Sequence, residues 1–261
     1  MAVRPLGAAE AVAAQAGAAA KGPVWLRGLK FLAALVLLPA CVGLPQGLWS
    51  HFLHTGAKLR VQLLGWPQEM VWFGYGILAF GALAFFWRPV VVYLFGHELV
   101  HALATWICLG KVSNLRVSAS GGQVTTSKSN TFIRLAPYFL PLYVLLAAGV
   151  YLGLDRFWRP LAEYRWCLCV ALGFGMAFHL AFTVWCLRLD QPDLKPDGWF
   201  FSLVLIYLAN LLVLALVLGL VLSGTAGGAW THFQESAKLG IERSHGIYLE
   251  LLRQVEGMTR S

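Results

Sequence analysis

VVVYLFGHELVHALATWICL, residues Val90 to Leu109, is the stretch that decides the fold. It follows the Arg88-Pro89 break, ends at Gly110-Lys111, and is apolar throughout except for His97-Glu98-Leu99-Val100-His101. A helix crossing the hydrocarbon core of a bilayer needs roughly 20 mostly apolar residues. This run is that long, so it reads as a membrane helix that carries three ionisable side chains. Comparable runs lie on both sides of it. The first spans about 31–52, with Pro39 and Pro45 expected to kink it. The second runs from Val71 to Trp87, where Arg88-Pro89 stops it. After the motif come Thr131–Leu152, Trp166–Leu187 and Trp199–Leu222. The predicted fold class is therefore an all-α polytopic membrane protein of about six transmembrane helices.

Two segments depart from that pattern. In residues 111–130, Val112, Leu115, Val117 and Val124 are spread among polar residues, Leu115-Arg116-Val117-Ser118 alternates, and Gly121-Gly122 marks a turn. This reads as a short β-hairpin between the third and fourth spans. Past Gly227-Gly228, residues Trp230, Phe233, Ala237, Ile241, Tyr248, Leu252 and Val255 recur at helical spacing. They predict an amphipathic C-terminal helix lying on the membrane or on the protein's own surface. The chain divides into a flexible tail over 1–30, a transmembrane domain over 31–222 and an amphipathic tail over 223–261. Lys21, Arg27 and Lys30 before Phe31–Leu38 resemble a signal peptide, but apolar character resumes through Trp49, so a membrane helix is the better reading.

Composition agrees. Hydrophobic residues make up 59% of the 261 and charged ones 12%, against about 25% charged in soluble domains. The net charge of +8 comes from Lys and Arg scattered over tails and loops, with no basic stripe interleaved with aromatics, which excludes nucleic acid as a partner. Cys41, Cys108, Cys167, Cys169 and Cys186 lie in or beside apolar runs and read as unpaired, buried thiols. Six spans place both termini on one side. Arg4, Lys21, Arg27, Lys30, Arg88, Arg156, Arg159, Arg165, Lys238, Arg243, Arg253 and Arg260 would share it, which favours cytoplasmic termini.

His97 and His101 lie four apart and face the same way on a helix. Two imidazoles on one face can hold a single Zn2+ ion, and Glu98 beside them is placed as the general base for water that the metal activates. Random placement of the chain's His and Glu residues produces this pattern about 0.6% of the time, so coincidence is a weak explanation. Within an apolar span these groups are costly unless paired, so they read as functional. A third ligand is required, and the candidates are Asp193, Asp197 and His179. Both aspartates lie in Asp190-Gln191-Pro192-Asp193-Leu194-Lys195-Pro196-Asp197-Gly198, a loop that can dip toward a buried metal. His179 is in the middle of the fifth span, at a depth closer to that of the motif.

Phe95-Gly96-His97-Glu98-Leu99-Val100-His101-Ala102-Leu103 resembles the signature of the site-2-protease-like intramembrane zinc metallopeptidases. Gly121-Gly122-Gln123-Val124 is similar to the glycine-containing β segment of that family, and Leu135-Ala136-Pro137-Tyr138 to the Ala-Gly-Pro start of its next helix. The resemblance covers roughly residues 90–202. It implies hydrolysis of peptide bonds in membrane-embedded protein substrates, zinc as cofactor, Glu98 as the catalytic residue, and an aspartate third ligand in a Leu-Asp-Gly or Asn-Pro-x-Asp-Gly setting. Here Asp197-Gly198 keeps the dipeptide, and Gln191-Pro192-Asp193 keeps a Pro-x-Asp-like context with one residue fewer. Asp193, bracketed by Pro192 and Pro196, is the first choice, His179 the second and Asp197 the third. The location it implies is a bacterial cytoplasmic membrane. Two other readings fit the same residues: a non-proteolytic zinc-binding membrane scaffold, and an ion or proton transporter. The chain has no repeated halves and no paired broken helices of the kind transporters use.

Overall fold

The structure, a computed structural model, describes residues 23–58, 66–118, 121–189 and 191–259. Helices α1 (Val24–Lys58), α2 (Gln68–Phe86) and α3 (Val90–Ile107) come first, followed by the antiparallel strands β1 (Val112–Ser118) and β2 (Gly121–Thr126). Then come α4 (Thr131–Leu135), a 3-10 turn (Ala136–Tyr138) and α5 (Leu142–Asp155). The chain ends with α6 (Arg165–Leu187), α7 (Trp199–Ser223) and α8 (Ala226–Thr259). Among the described residues, five helices are long and apolar enough to cross a membrane, or six when the bent pair α4–α5 counts as one span. The chain is an integral membrane protein.

Three local readings change. The fourth span is not one straight helix: α4 with its 3-10 turn meets α5 at 80°. Pro137 and Pro141 stand at this break. Each lacks an amide hydrogen and disfavours helix in the residue before it, so the backbone turns there. By contrast Pro39 and Pro45 are both carried inside the continuous α1. Gly121 and Gly122 belong to β2, opposite Ser118 and Val117, rather than to the turn, which falls outside the described residues. Cys167 is exposed, while Cys169 and Cys186 are buried, and none of the five thiols is paired.

The C-terminal helix lies on the protein, antiparallel to α1. Gly43 of α1 meets Ser244 of α8 and Gly47 meets Gly240, so closely that a Cβ at either α1 glycine would collide with the partner helix. Small residues four apart on both helices let the backbones touch, the arrangement that packs helices where lipid removes the hydrophobic drive between them. The expected apolar stripe is not the seam. Ala229, Ser236 and Gly240 are buried, while Trp230, Ile241, Tyr248, Leu252 and Val255 are exposed. Bulky side chains would hold the helices apart, so the stripe of small residues faces inward instead. The α7–α8 corner turns at Gly224, whose φ of 70° suits glycine.

The ends of the bundle can be told apart by their polar contacts. Asp197, just before α7, accepts hydrogen bonds from Lys30 of α1 and from Arg134 and Thr131 of α4. At the far end of α7, Arg165 donates to the carbonyls of Val221 and Leu222, with Arg165 Nη1 3.6 Å from Glu69. Arg165 therefore does not share a side with Lys30, which corrects the side assigned to it by six alternating spans.

Candidate functional site

The motif helix turns one face inward: Tyr93, Gly96, His97, Val100, His101 and Ala104 are all buried. Recurrence at three- and four-residue spacing places both histidines on that face. His101 Nδ1 lies 2.8 Å from the Ile133 carbonyl, which is supplied by α4 on the near side of the proline break. A carbonyl accepts only, so Nδ1 carries the proton and Nε2 of the neutral ring keeps a free lone pair. The Thr105 hydroxyl donates to the His101 carbonyl at 2.8 Å. The two rings stand 5.0 Å apart at 79°, and the ring of Tyr138 lies 5.0 Å from that of His97.

Asp193 meets this pair. The loop after α6 forms a short 3-10 turn over Pro192–Leu194. It brings Asp193 Oδ2 to 3.4 Å from His101 Nε2 and 3.9 Å from His97 Nε2. The loop is pinned there: the Tyr138 hydroxyl lies 3.1 Å from both Asp193 Oδ2 and Gln191 Oε1, and Gln191 Nε2 donates to the Cys186 carbonyl at 3.0 Å. Gly198, at φ 88°, turns the chain from the loop into α7.

These residues fit a zinc ion. His101 Nε2 faces an Asp193 carboxylate oxygen: with the ring protonated the two form an ion pair, and with the ring neutral they are two acceptors that a shared cation would join. Ligand atoms about 2.05 Å from a tetrahedral ion lie roughly 3.3 Å from one another. The observed separations of 3.4 and 3.9 Å are close to that, and one ligand atom from each of the three residues falls within 4.8 Å of the others. His101 also has the outer hydrogen bond that orients metal-bound imidazoles.

The other two candidates have different roles. His179 is buried on α6 and lies 3.3 Å from Asn210 Oδ1. The Asn210 amide nitrogen donates to the Tyr138 and Ile206 carbonyls at 2.8 Å each, so its oxygen accepts from His179. His179 thus helps to hold the Tyr138 turn and does not join the His97–His101–Asp193 group. The side chain of Asp197 is fully buried, with Arg134 Nη2 2.6 Å and Thr131 Oγ1 2.9 Å from its oxygens and Lys30 on Oδ1. Burial alone would raise its pKa, but the bonds from Lys30 and Arg134 outweigh that and hold the carboxyl below the usual aspartate range.

Glu98 is buried beside the histidines and against β2. A Cβ on Gly122 would fall 2.9 Å from Glu98 Oε1, so glycine at that place lets the strand pass directly over the carboxylate. On the other side of His97 lies a narrow cleft of about 20 Å3 between α3, α5 and α6, lined by Tyr93, Pro137, Tyr143, Phe178 and His179 among others. Sequence reading missed three supports: the Ile133 carbonyl, the Tyr138 hydroxyl and the place of Gly122 over Glu98. Backbone carbonyls leave no trace in a sequence. Gly122 and Tyr138 were both visible, as a glycine pair and beside Pro137.

Fold and site together define an integral membrane protein with a candidate His-His-Asp metal centre and a buried glutamate next to it. No protein-family model, curated protein or solved structure matches the chain.

Proposed function

We propose that the protein is an intramembrane zinc metalloprotease that hydrolyses peptide bonds of membrane-embedded protein substrates. The observation that carries this reading is the meeting of Asp193 from a distant loop with His97 and His101, while Glu98 lies alongside. His97, His101 and Asp193 would hold the zinc, which supplies a Lewis acid that polarises the scissile carbonyl and makes water more acidic. Glu98 serves as general base, taking a proton from the attacking water and passing it to the leaving amine. His101 is kept in its ligating tautomer by Ile133, and Tyr138 keeps Asp193 turned inward.

A transmembrane substrate must unwind before its backbone can be cut, because helix formation already satisfies its amides. Among the described residues the β1–β2 sheet has two strands, and β2 passes Glu98 at Gly122. A substrate segment added to that sheet as a strand would have its main chain held extended next to the base. Lys30 and Arg134 gather at the same end of the bundle as the site. By the positive-inside tendency this end faces the cytoplasm of a bacterial inner membrane, with the N-terminus on that side.

The test is Glu98→Gln in the full chain. The amide keeps the shape but cannot accept the proton, so membrane peptides released by cells carrying the wild type should fall at least a hundredfold in quantitative mass spectrometry, with zinc content unchanged. Release at the wild-type level would exclude Glu98 as the base. Intact zinc with no cleavage by either protein would point to a scaffold instead.

A further inference from the structure

A second group of ligating side chains lies at the opposite end of the bundle. His51 comes from the last turns of α1, and His232 and Glu235 from the first turns of α8. His51 Nε2 is 2.9 Å from His232 Nδ1, and His51 Nδ1 is 3.6 Å from Glu235 Oε2. One ligand atom from each residue lies within 4.8 Å of the other two. His51 is 21 positions along α1 from Lys30, about 30 Å at 1.5 Å per residue, so this group is separate from the His97 site.

The surroundings prepare these side chains. His232 and Glu235, three apart on a helix, point to one side. Gly219 of α7 admits α8 closely at this level: a Cβ there would lie 3.0 Å from His232 Cβ and 2.8 Å from the Ala229 carbonyl. The ring of Phe52 stands 5.1 Å from that of His51 and 6.2 Å from that of His232, closing one wall with apolar surface. His51 is buried and Glu235 exposed, which gives an ion both a sheltered ligand and an entry path.

We infer that His51, His232 and Glu235 bind a divalent transition-metal ion of the zinc, cobalt or nickel kind, which fastens the C-terminal helix to the first. Two imidazoles and one carboxylate suit these borderline ions and not calcium or magnesium, which take oxygen ligands. Without an ion, the 2.9 Å contact between the rings is a hydrogen bond. Ligand atoms on a tetrahedral ion stand about 3.3 Å apart, so the rings need to part by about half an ångström, and Glu235, whose nearest contact is with the other nitrogen of His51, must close in from within 4.8 Å. The ion would join helices from the two ends of the chain, adding to the small-residue seam a contact that depends on metal.

Full-length protein in detergent, stripped with a chelator and reloaded with zinc, tests this by elemental mass spectrometry, with helicity checked by circular dichroism. Wild type should retain zinc at both sites, and His97→Ala should retain it at the seam alone. Adding Glu235→Gln or His232→Gln to His97→Ala should weaken the remaining zinc at least tenfold and remove the visible absorption of the cobalt-loaded form. Glu235 is exposed, so its amide variant keeps the fold. A His97→Ala protein that holds neither zinc nor cobalt would overturn the inference, as would bound metal indifferent to both seam substitutions. Zinc that is lost with Glu235→Gln but not with His97→Ala would sustain the seam site and refute the proteolytic one.

Discussion

At the Lys30 end, two histidines four apart on one helix receive their carboxylate from a loop. At the other end, two histidines from the first and last helices meet across a seam. The two histidines of the first group are buried, and a second carboxylate, Glu98, lies within the fold beside them. The second has an exposed carboxylate, and the further imidazole near it, His54, is exposed as well. With the same donor set of two imidazoles and one carboxylate, the two groups would serve different ends. Catalysis would need a spare proton acceptor next to the metal, and of these two groups the one at the Lys30 end has the buried Glu98 beside it. A staple needs only ligands on two elements that must stay together.

The largest effect should follow from removing a motif imidazole. His97→Ala and His101→Ala each leave two protein ligands, so zinc affinity at this site should drop more than a hundredfold while the protein still inserts in the membrane. Equilibrium dialysis against zinc checks it, and unchanged affinity in both variants would erase the contrast between the two ends.

That contrast is also one of legibility. The His97–His101 pair is local, so helical periodicity alone exposes it. Asp193 was reachable through the prolines that bracket it and the resemblance around the motif. The seam was not read, although Gly43 and Gly47 on one helix and Gly240 and Ser244 on the other are spaced four apart. Its apolar neighbours at Trp230 and Ile241 gave the stronger periodic signal and pointed the helix the wrong way. Similarly, Pro137 and Pro141 marked the broken span, but hydropathy ran through them. Asp197 reads in the sequence as the third choice of metal ligand, because Lys30 and Arg134 are distant in sequence and only the fold brings them to it.

The next effect concerns the two loop carboxylates. Asp193 faces the histidines, whereas Asp197 ties the loop to α1 and α4. Asp197→Asn would leave Lys30 and Arg134 without their counter-charge, and breaking such a buried pair costs about 3 kcal/mol or more. Thermal unfolding in detergent should show a lower midpoint. The pH dependence has a definite sign. The folded-state pKa of Asp197 is depressed, so its stabilisation is fully present above the ordinary value of about 3.9 and is lost as the pH falls below it. The variant should therefore lose part of the acid-induced destabilisation seen in wild type. An identical acid profile in both would remove Asp197 as the anchor.

A smaller effect is expected at Tyr138. Tyr138→Phe keeps the ring against His97 but removes the hydroxyl 3.1 Å from Asp193. Outer hydrogen bonds of this kind change metal affinity by roughly 10- to 100-fold. Because Tyr138 holds one ligand of three, a change near the lower figure is expected in a zinc competition assay with a chromophoric chelator. No change would mean that the loop alone positions Asp193.

The central claim is that Asp193, not His179, completes the metal centre with His97 and His101. Its most direct measurement is the zinc dissociation constant of Asp193→Ala beside that of His179→Ala, both in a Glu235→Gln background so that only this site is read. The account predicts a loss of at least tenfold for Asp193→Ala and less than threefold for His179→Ala. Wild-type affinity in Asp193→Ala, with the loss falling on His179→Ala, would contradict it.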